Sequence, residues 1–225
     1  MTEIEAMEKS HAPILDVIAS AAYSKRETVE NSFVIACRAI IEGVPGSIVE
    51  CGVANGSQIG AMALADQSLR ANRKIVLFDS FEGIPLAGPN DADQPGIGAI
   101  SHDVNVPKEK LLVSSGVSSC SVDGVKGNFR KWGIGTKNCE FVKGWFQNTV
   151  HGYKDPIAVL RLDGDLYEST KVCLEALYGL VSPGGFVIID DYALPGCAKA
   201  VHEFMNCVPP YTPVAGTELV IWWKK

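Results

Sequence analysis

The chain is short of positive charge. Lys and Arg together number 20 against 26 Asp and Glu, a net charge of −6. A general nucleic-acid binder displays a basic face, so that class is disfavoured. No apolar run approaches the ~18 residues of a membrane span, and no repeat or low-complexity tract interrupts the chain. The seven cysteines are odd in number and contain no C-x-x-C pair. Neither a disulfide framework nor a zinc site is expected from them, and reduced, packed thiols of a cytoplasmic protein are. The four histidines (11, 102, 151 and 202) are scattered and suggest no metal cluster. The first ten residues carry Glu3, Glu5 and Glu8 before Lys9, unlike the cationic start and apolar core of a secretory leader.

What is present is an ordinary globular balance, 47% hydrophobic and 20% charged over 225 residues. That length fits one large domain, and no linker divides it. Residues 1–45 read as a helical N-terminal extension, with apolar groups Ile14–Ile18 and Phe33–Ile41 at helical spacing and a break at Ser24–Thr28. From residue 46 strands and helices alternate. Strands are predicted at Ser47–Cys51, Lys74–Phe78, Cys139–Val142, Ile157–Leu162, Phe186–Ile189 and Leu219–Trp223. Helices are predicted at Ser57–Arg70, Ser121–Trp132, Glu168–Leu180 and 196–206, the third of them ended by Ser182-Pro183-Gly184-Gly185. Residues 80–118 are rich in Gly, Pro, Asp and Ser and read as a long irregular segment. Apolar strands separated by helices imply a mostly parallel, doubly wound α/β sheet covered on both faces, with an antiparallel C-terminal strand.

In such sheets ligands bind beyond the carboxyl ends of the strands. The first strand runs into Glu50-Cys51-Gly52, with further glycines at 56 and 60. That spacing is not the dinucleotide fingerprint G-x-G-x-x-G, yet glycines there let the backbone approach a ligand. An acid before the first glycine suits a cationic or hydroxyl-rich ligand such as S-adenosylmethionine. The second strand ends at Asp79-Ser80, where an acid can accept both hydroxyls of a ribose. The later strands end at Asp163 and at Asp190-Asp191. Carboxylates converging from adjacent strands repel one another unless a cation lies among them. An all-oxygen set suits Mg²⁺, with Ca²⁺ or Mn²⁺ as substitutes, and argues against zinc. Asp165 reads as a cap for the helix that holds Glu168.

These segments resemble the macrocin O-methyltransferase-like enzymes, S-adenosylmethionine- and Mg²⁺-dependent sugar O-methyltransferases of natural-product pathways. The resemblance runs through Gly43–Val53, Leu77–Pro85, Phe141–Phe146, Leu160–Thr170 and Ser182–Tyr192. The strings Asp-Gly-Asp-Leu-Tyr-Glu-Ser-Thr (163–170) and Ile-Asp-Asp-Tyr (189–192) are its most specific parts. It implies a Rossmann-like methyltransferase sheet. It implies that Glu50 and Gly52 line the methionine end of the cofactor, that Asp79 holds the ribose beside Ser80, and that Lys143-Gly144-Trp145 borders the adenine. It further implies that Asp163, Asp190 and Asp191 bind Mg²⁺, that Asp163 serves as general base, and that the chain forms a homodimer or larger assembly. One departure stands out: where the family has Trp-Arg-Gly-Gly after Gly-Val, this chain has Ala54-Asn55-Gly56-Ser57.

The acceptor is expected to be a sugar or glycoside hydroxyl, enclosed by the 84–100 loop and by the region from Tyr23 to Thr28. Three other readings remain at this point: a catechol-type acceptor, an NAD-dependent oxidoreductase, and a non-catalytic binding module. His102 and His151 are read as surface residues, and Trp222 and Trp223 as packing residues on opposite faces.

Overall fold

Strands buried along their whole length can only sit inside a sheet covered on both sides. In the computed structural model, β1 (Ser47–Cys51) and β4 (Ile157–Leu162) are such strands, buried along their whole length. The structure describes residues 2–93 and 111–225. The 84–100 loop is therefore only partly described, and His102 lies outside these residues.

Among the described residues seven strands form one sheet in the order β3-β2-β1-β4-β5-β7-β6. Strands β2 (Ile75–Asp79), β3 (Cys139–Lys143) and β5 (Val181–Ile189) run parallel to β1 and β4. Strand β7 (Ile221–Lys224) returns antiparallel against β5. It is not the edge: the two-residue β6 (Thr212–Pro213) pairs outside it, and both its residues are exposed. The opposite edge, β3, is only half-buried and carries exposed Glu140 and Lys143. The strand order reverses at β1 and β4, the place where an open α/β sheet leaves a crevice for a ligand.

Two apolar layers cover the sheet. Alternation sends Ile48, Phe186 and Ile188 to one face and Val49, Val187 and Ile189 to the other. The first face packs under α1 (Glu3–Ala19), α2 (Arg26–Ile41), α3 (Ser57–Leu69) and α4 (Val122–Lys131). Helix α3 is sandwiched by α2 and the sheet, so Ser57 to Asp66 are all buried, which explains its Ala, Met and Leu content. The second face packs under α6 (Tyr167–Leu177) and α7 (Pro195–Met205), with the one-turn α5 (Phe146–Thr149) beside them. Trp222 joins the first layer and Trp223 the second, as alternation requires.

Two expectations change. Ser182–Gly185 is part of β5 rather than a stop before it. The register against β4 jumps from Ile157↔Val181 to Val159↔Phe186, so the Pro-Gly-Gly stretch bulges out of an otherwise paired strand. Nor does Asp165 cap α6. The α6 N-cap is Leu166, which makes no side-chain cap bond. Buried Asp91, from the loop after β2, instead accepts the Tyr167 N–H at 2.8 Å and the Gly88 N–H at 3.2 Å. One carboxylate thus caps α6 and pins the loop to it.

Candidate active site

The strand ends of β1, β2, β4 and β5 open into a pocket of about 260 Å³. Its floor begins at Gly52, whose φ of +90° turns the chain out of β1. A Cβ there would stand 1.6 Å from the Asp163 carbonyl oxygen, so only glycine lets the two loops pass. Gly56, also at positive φ, starts α3.

Asp79 fastens this turn. Its Oδ2 accepts the N–H groups of Val53 (2.6 Å) and Ala54 (3.1 Å), and its Oδ1 accepts that of Phe81 at 2.5 Å. Burial raises its pKa, and the three amides oppose that rise. The other donor to Oδ1 is the Ser80 hydroxyl at 3.5 Å, a long contact that a ligand hydroxyl could replace. Ser80 lies beside it on the pocket wall, its Oγ taken up by the Gly83 carbonyl and the Glu82 and Gly83 N–H groups.

Trp145, Phe146 and Gln147 form the wall beyond β3. Gly144 is not on that wall: its N–H donates to the Asp79 carbonyl at 2.9 Å and turns the chain so that Trp145 faces in. The opposite wall is the α1–α2 linker, Ala22, Tyr23 and Ser24, with Tyr23 71% exposed. Asn55 and Gln58 hold that linker against the glycine turn. Asn55 donates to the Ala21 carbonyl, and Gln58 Nε2 donates to Ser24 Oγ at 2.6 Å. At Ala54-Asn55, where the resemblance implied Trp-Arg, this chain has a short amide that ties two segments together.

The acids gather at the far side. Carboxylate oxygens of Asp163, Asp165 and Asp191 lie within 4.8 Å of one another. Asp190 lines the same pocket, but its Oδ1 faces the Arg161 guanidinium. The trio that meets is thus not the Asp163, Asp190 and Asp191 set of the sequence reading; Asp165 takes a place in it. Asp165 has a φ of +57°, rare for a residue with a side chain, and its N–H donates to Asp191 Oδ2 at 2.9 Å. Glu50 is not on the pocket wall. Its carboxylate is fully buried, accepting from Arg161 at 2.8 Å and from the Ile59 N–H at 3.1 Å. His151 is exposed in a short turn away from the pocket.

Burial, with the neighbouring charges of Asp163 and Asp190, pushes the Asp165 carboxyl up to about 8. Burial and Asp163 push Asp190 up to about 7, against the pull of Arg161. Asp191 is raised well above the carboxylate range, by burial first and then by Asp165, Asp163 and Asp190. Crowded acids of this kind hold protons until a cation replaces them. The donor set is all oxygen and fits a hard divalent ion such as Mg²⁺.

This has a sign that can be measured. Unfolded, the same carboxyls titrate near ~3.9. Between that value and about 8 the native state holds protons that the unfolded chain has released. Stability is therefore lost as pH rises through that window. In EDTA the thermal midpoint should be lower at pH 9 than at pH 6, and Mg²⁺ should shrink the difference. A midpoint independent of pH in EDTA would show the acids already ionised in the native protein.

Arg161, the one charged residue of β4, had no role in the sequence reading beyond breaking an apolar run. Its signal was that very break. Asp91 gave none, because Tyr167 lies 76 residues away in sequence.

Comparison with known proteins places this geometry. The family model described as macrocin-O-methyltransferase (TylF) matches residues 22–225. A protein of Streptomyces olivaceus named 8-demethyl-8-(2,3-dimethoxy-alpha-L-rhamnosyl)-tetracenomycin-C 4'-O-methyltransferase is 38% identical over 190 residues, 82% of this chain and 68% of its own length. The mycinamicin III 3''-O-methyltransferase of Micromonospora griseorubida is 36% identical over 173 residues, 75% of this chain. The match covers 63% of that relative, so the chain spans less than two thirds of its length. Among solved structures, the O-methyltransferase NovP superposes with a TM-score of 0.73 at 31% identity, covering 89% of this chain and 80% of its own.

Proposed function

Since the chain belongs to the macrocin O-methyltransferase family, we propose that it moves a methyl group from S-adenosylmethionine to a hydroxyl of a sugar or glycosylated natural product, assisted by Mg²⁺. The observation that carries this reading is that one pocket joins a ribose-type acid, Asp79, to the oxygen cluster at the ends of β4 and β5. The relatives' names describe sugar-bearing acceptors, which supports the acceptor class.

In this reading Asp79 takes the ribose hydroxyls, Gly52 lets the methionine end lie against the backbone, and Trp145 offers its face to the adenine. Glu50 acts from below, through Arg161 and the first turn of α3. Asp163 and Asp191, with Asp165 beside them, would hold the metal, and Asp190 on the same pocket wall would complete the set. The bound sulfonium supplies an electrophilic methyl group, and bound Mg²⁺ lowers the pKa of an acceptor hydroxyl. The protein fixes both partners in line, an effect that reaches ~7–11 kcal/mol in well-oriented systems. A site carboxylate, Asp163 in the first instance, takes the hydroxyl proton. Walls on both sides of the acids, Trp145 to Gln147 and Ala22 to Ser24, narrow the access of water.

Free thiols at all seven cysteines fit a reducing, cytoplasmic setting. No helix among the described residues is long and apolar enough to cross a membrane. A homodimer or larger assembly belongs to the same proposal, and light scattering measures it.

The deciding experiment is calorimetry of S-adenosylhomocysteine with and without Mg²⁺, on the wild type and on Asp190→Ala. Cofactor binding together with a metal signal lost in the variant is expected. Failure of S-adenosylhomocysteine to bind, with NADH binding instead, would return the chain to the oxidoreductases. Turnover of a catechol but of no glycoside would change the acceptor class and keep the reaction.

A further inference from the structure

Arg161 sits in a strand whose six residues are all buried, and its own side chain is wholly covered. A buried charge is retained only when its partners answer it. Its Nη1 donates to Glu50 Oε1 at 2.8 Å and to Asp163 Oδ2 at 2.7 Å, and its Nη2 donates to Asp190 Oδ1. Its Nε finds no acceptor among the described residues. Burial works against the guanidinium's charge, and Asp190, Asp163 and Glu50 outweigh it.

The register explains the arrangement. Glu50 on β1 stands directly across from Arg161 on β4. The Glu50 carboxylate is fixed in turn by the Ile59 N–H in the first turn of α3. A chain of contacts therefore runs from α3 through Glu50 to the guanidinium, and from its two Nη atoms to the ends of β4 and β5. The planar fork takes one oxygen from Asp163 and one from Asp190. This fixes the rotation of both carboxylates and leaves each a single oxygen for the pocket.

We propose that Arg161, held by Glu50, is the positioning residue of the metal site: its fork sets the orientation of Asp163 and Asp190 so that their second oxygens can meet a divalent cation. The inference rests on the metal reading above. It gives Glu50 a task different from contact with the cofactor.

Two roles for Arg161 predict opposite signs. If it only neutralises excess negative charge, its removal leaves a more negative pocket and cations bind more tightly. If it positions, its removal weakens cation binding despite the more negative field. Arg161→Lys separates charge from geometry, since it keeps the charge and loses the fork.

The test measures Mn²⁺ binding from the electron paramagnetic resonance signal of the free ion, and S-adenosylhomocysteine binding by calorimetry. It compares wild type, Arg161→Lys and Arg161→Met. Mn²⁺ affinity is expected to fall at least tenfold in Arg161→Lys and further in Arg161→Met, with S-adenosylhomocysteine affinity within threefold of wild type. Wild-type Mn²⁺ affinity in Arg161→Lys, or tighter Mn²⁺ binding in Arg161→Met, overturns the proposal. Parallel loss of both ligands overturns it too, because it marks collapse of the strand ends. Should Arg161→Met not fold, the lysine variant decides alone. A wild type that takes up no Mn²⁺ sinks the metal reading itself, and is told apart because no variant is needed to see it.

Discussion

Alanine at Asp163 is expected to lower kcat by at least three orders of magnitude while S-adenosylhomocysteine affinity stays within threefold. The residue meets the reaction in two ways. It follows β4 directly, its N–H bonded to the Cys51 carbonyl at 2.8 Å, so its position is set by the sheet and not by a loose loop. Its carboxylate joins the oxygen cluster with Asp165 and Asp191. In the proposed mechanism losing it removes a cation ligand and the proton acceptor, and general-base removal alone is worth about 10²–10⁴-fold. The proposed cofactor contacts, by contrast, gather at Asp79 and the glycine turn. Asp163→Ala with ordinary turnover would remove the aspartate from the chemistry. The companion variant Asp165→Asn assigns the proton. Retained turnover leaves the base at Asp163. Lost turnover with Mn²⁺ binding intact moves it to Asp165, since Asp163 already gives Oδ2 to Arg161.

The second large effect is on stability. Gly52→Ala should destabilise the fold by about 3–5 kcal/mol, combining strain at a positive φ with a severe clash. The added methyl carbon would stand 1.6 Å from the Asp163 carbonyl oxygen and 2.6 Å from its carbon, both backbone atoms that no rotamer can clear. Relief requires β1 and β4 to part at their carboxyl ends, where Asp163 N–H and the Cys51 carbonyl are bonded. For a chain of this size the thermal midpoint should fall by on the order of 10 °C. A midpoint within about 2 °C of wild type would show that the turn can rearrange around a side chain.

Much of this fold could be read from residues that are close in sequence. Ser47–Cys51 and Ile157–Leu162 declare themselves as strands because burial on both faces demands mostly apolar runs, which Glu50 and Arg161 each interrupt only once. The acids at 79, 163, 190 and 191 stand out because a charge directly after such a run has to emerge at a strand end. The same local logic misassigned Asp165. Next to a helix start it looks like a cap, but the cap comes from Asp91, which no spacing rule connects to Tyr167. Glu50 was assigned to the cofactor by the resemblance; its contact with Arg161, 111 residues away, is reached only once β1 and β4 pair. Strand β6 is two residues long and had no periodicity to show. The bulge in β5 was read as a stop because proline and two glycines usually end an element, whereas here they mark a register jump.

The ends of the sheet bear on how two copies could meet. At one edge β3 carries outward charges already engaged by neighbours: Glu140 with Lys74 at 2.8 Å, and Lys143 with Glu82 at 3.0 Å. At the other, β6 is too short to template a partner, and Pro213 has no N–H to offer. A foreign strand that tried to extend the sheet would have to break ion pairs on one side and would find almost no ladder on the other. Self-association by strand addition, and the fibrous growth it can seed, is thus disfavoured at both margins of the described sheet.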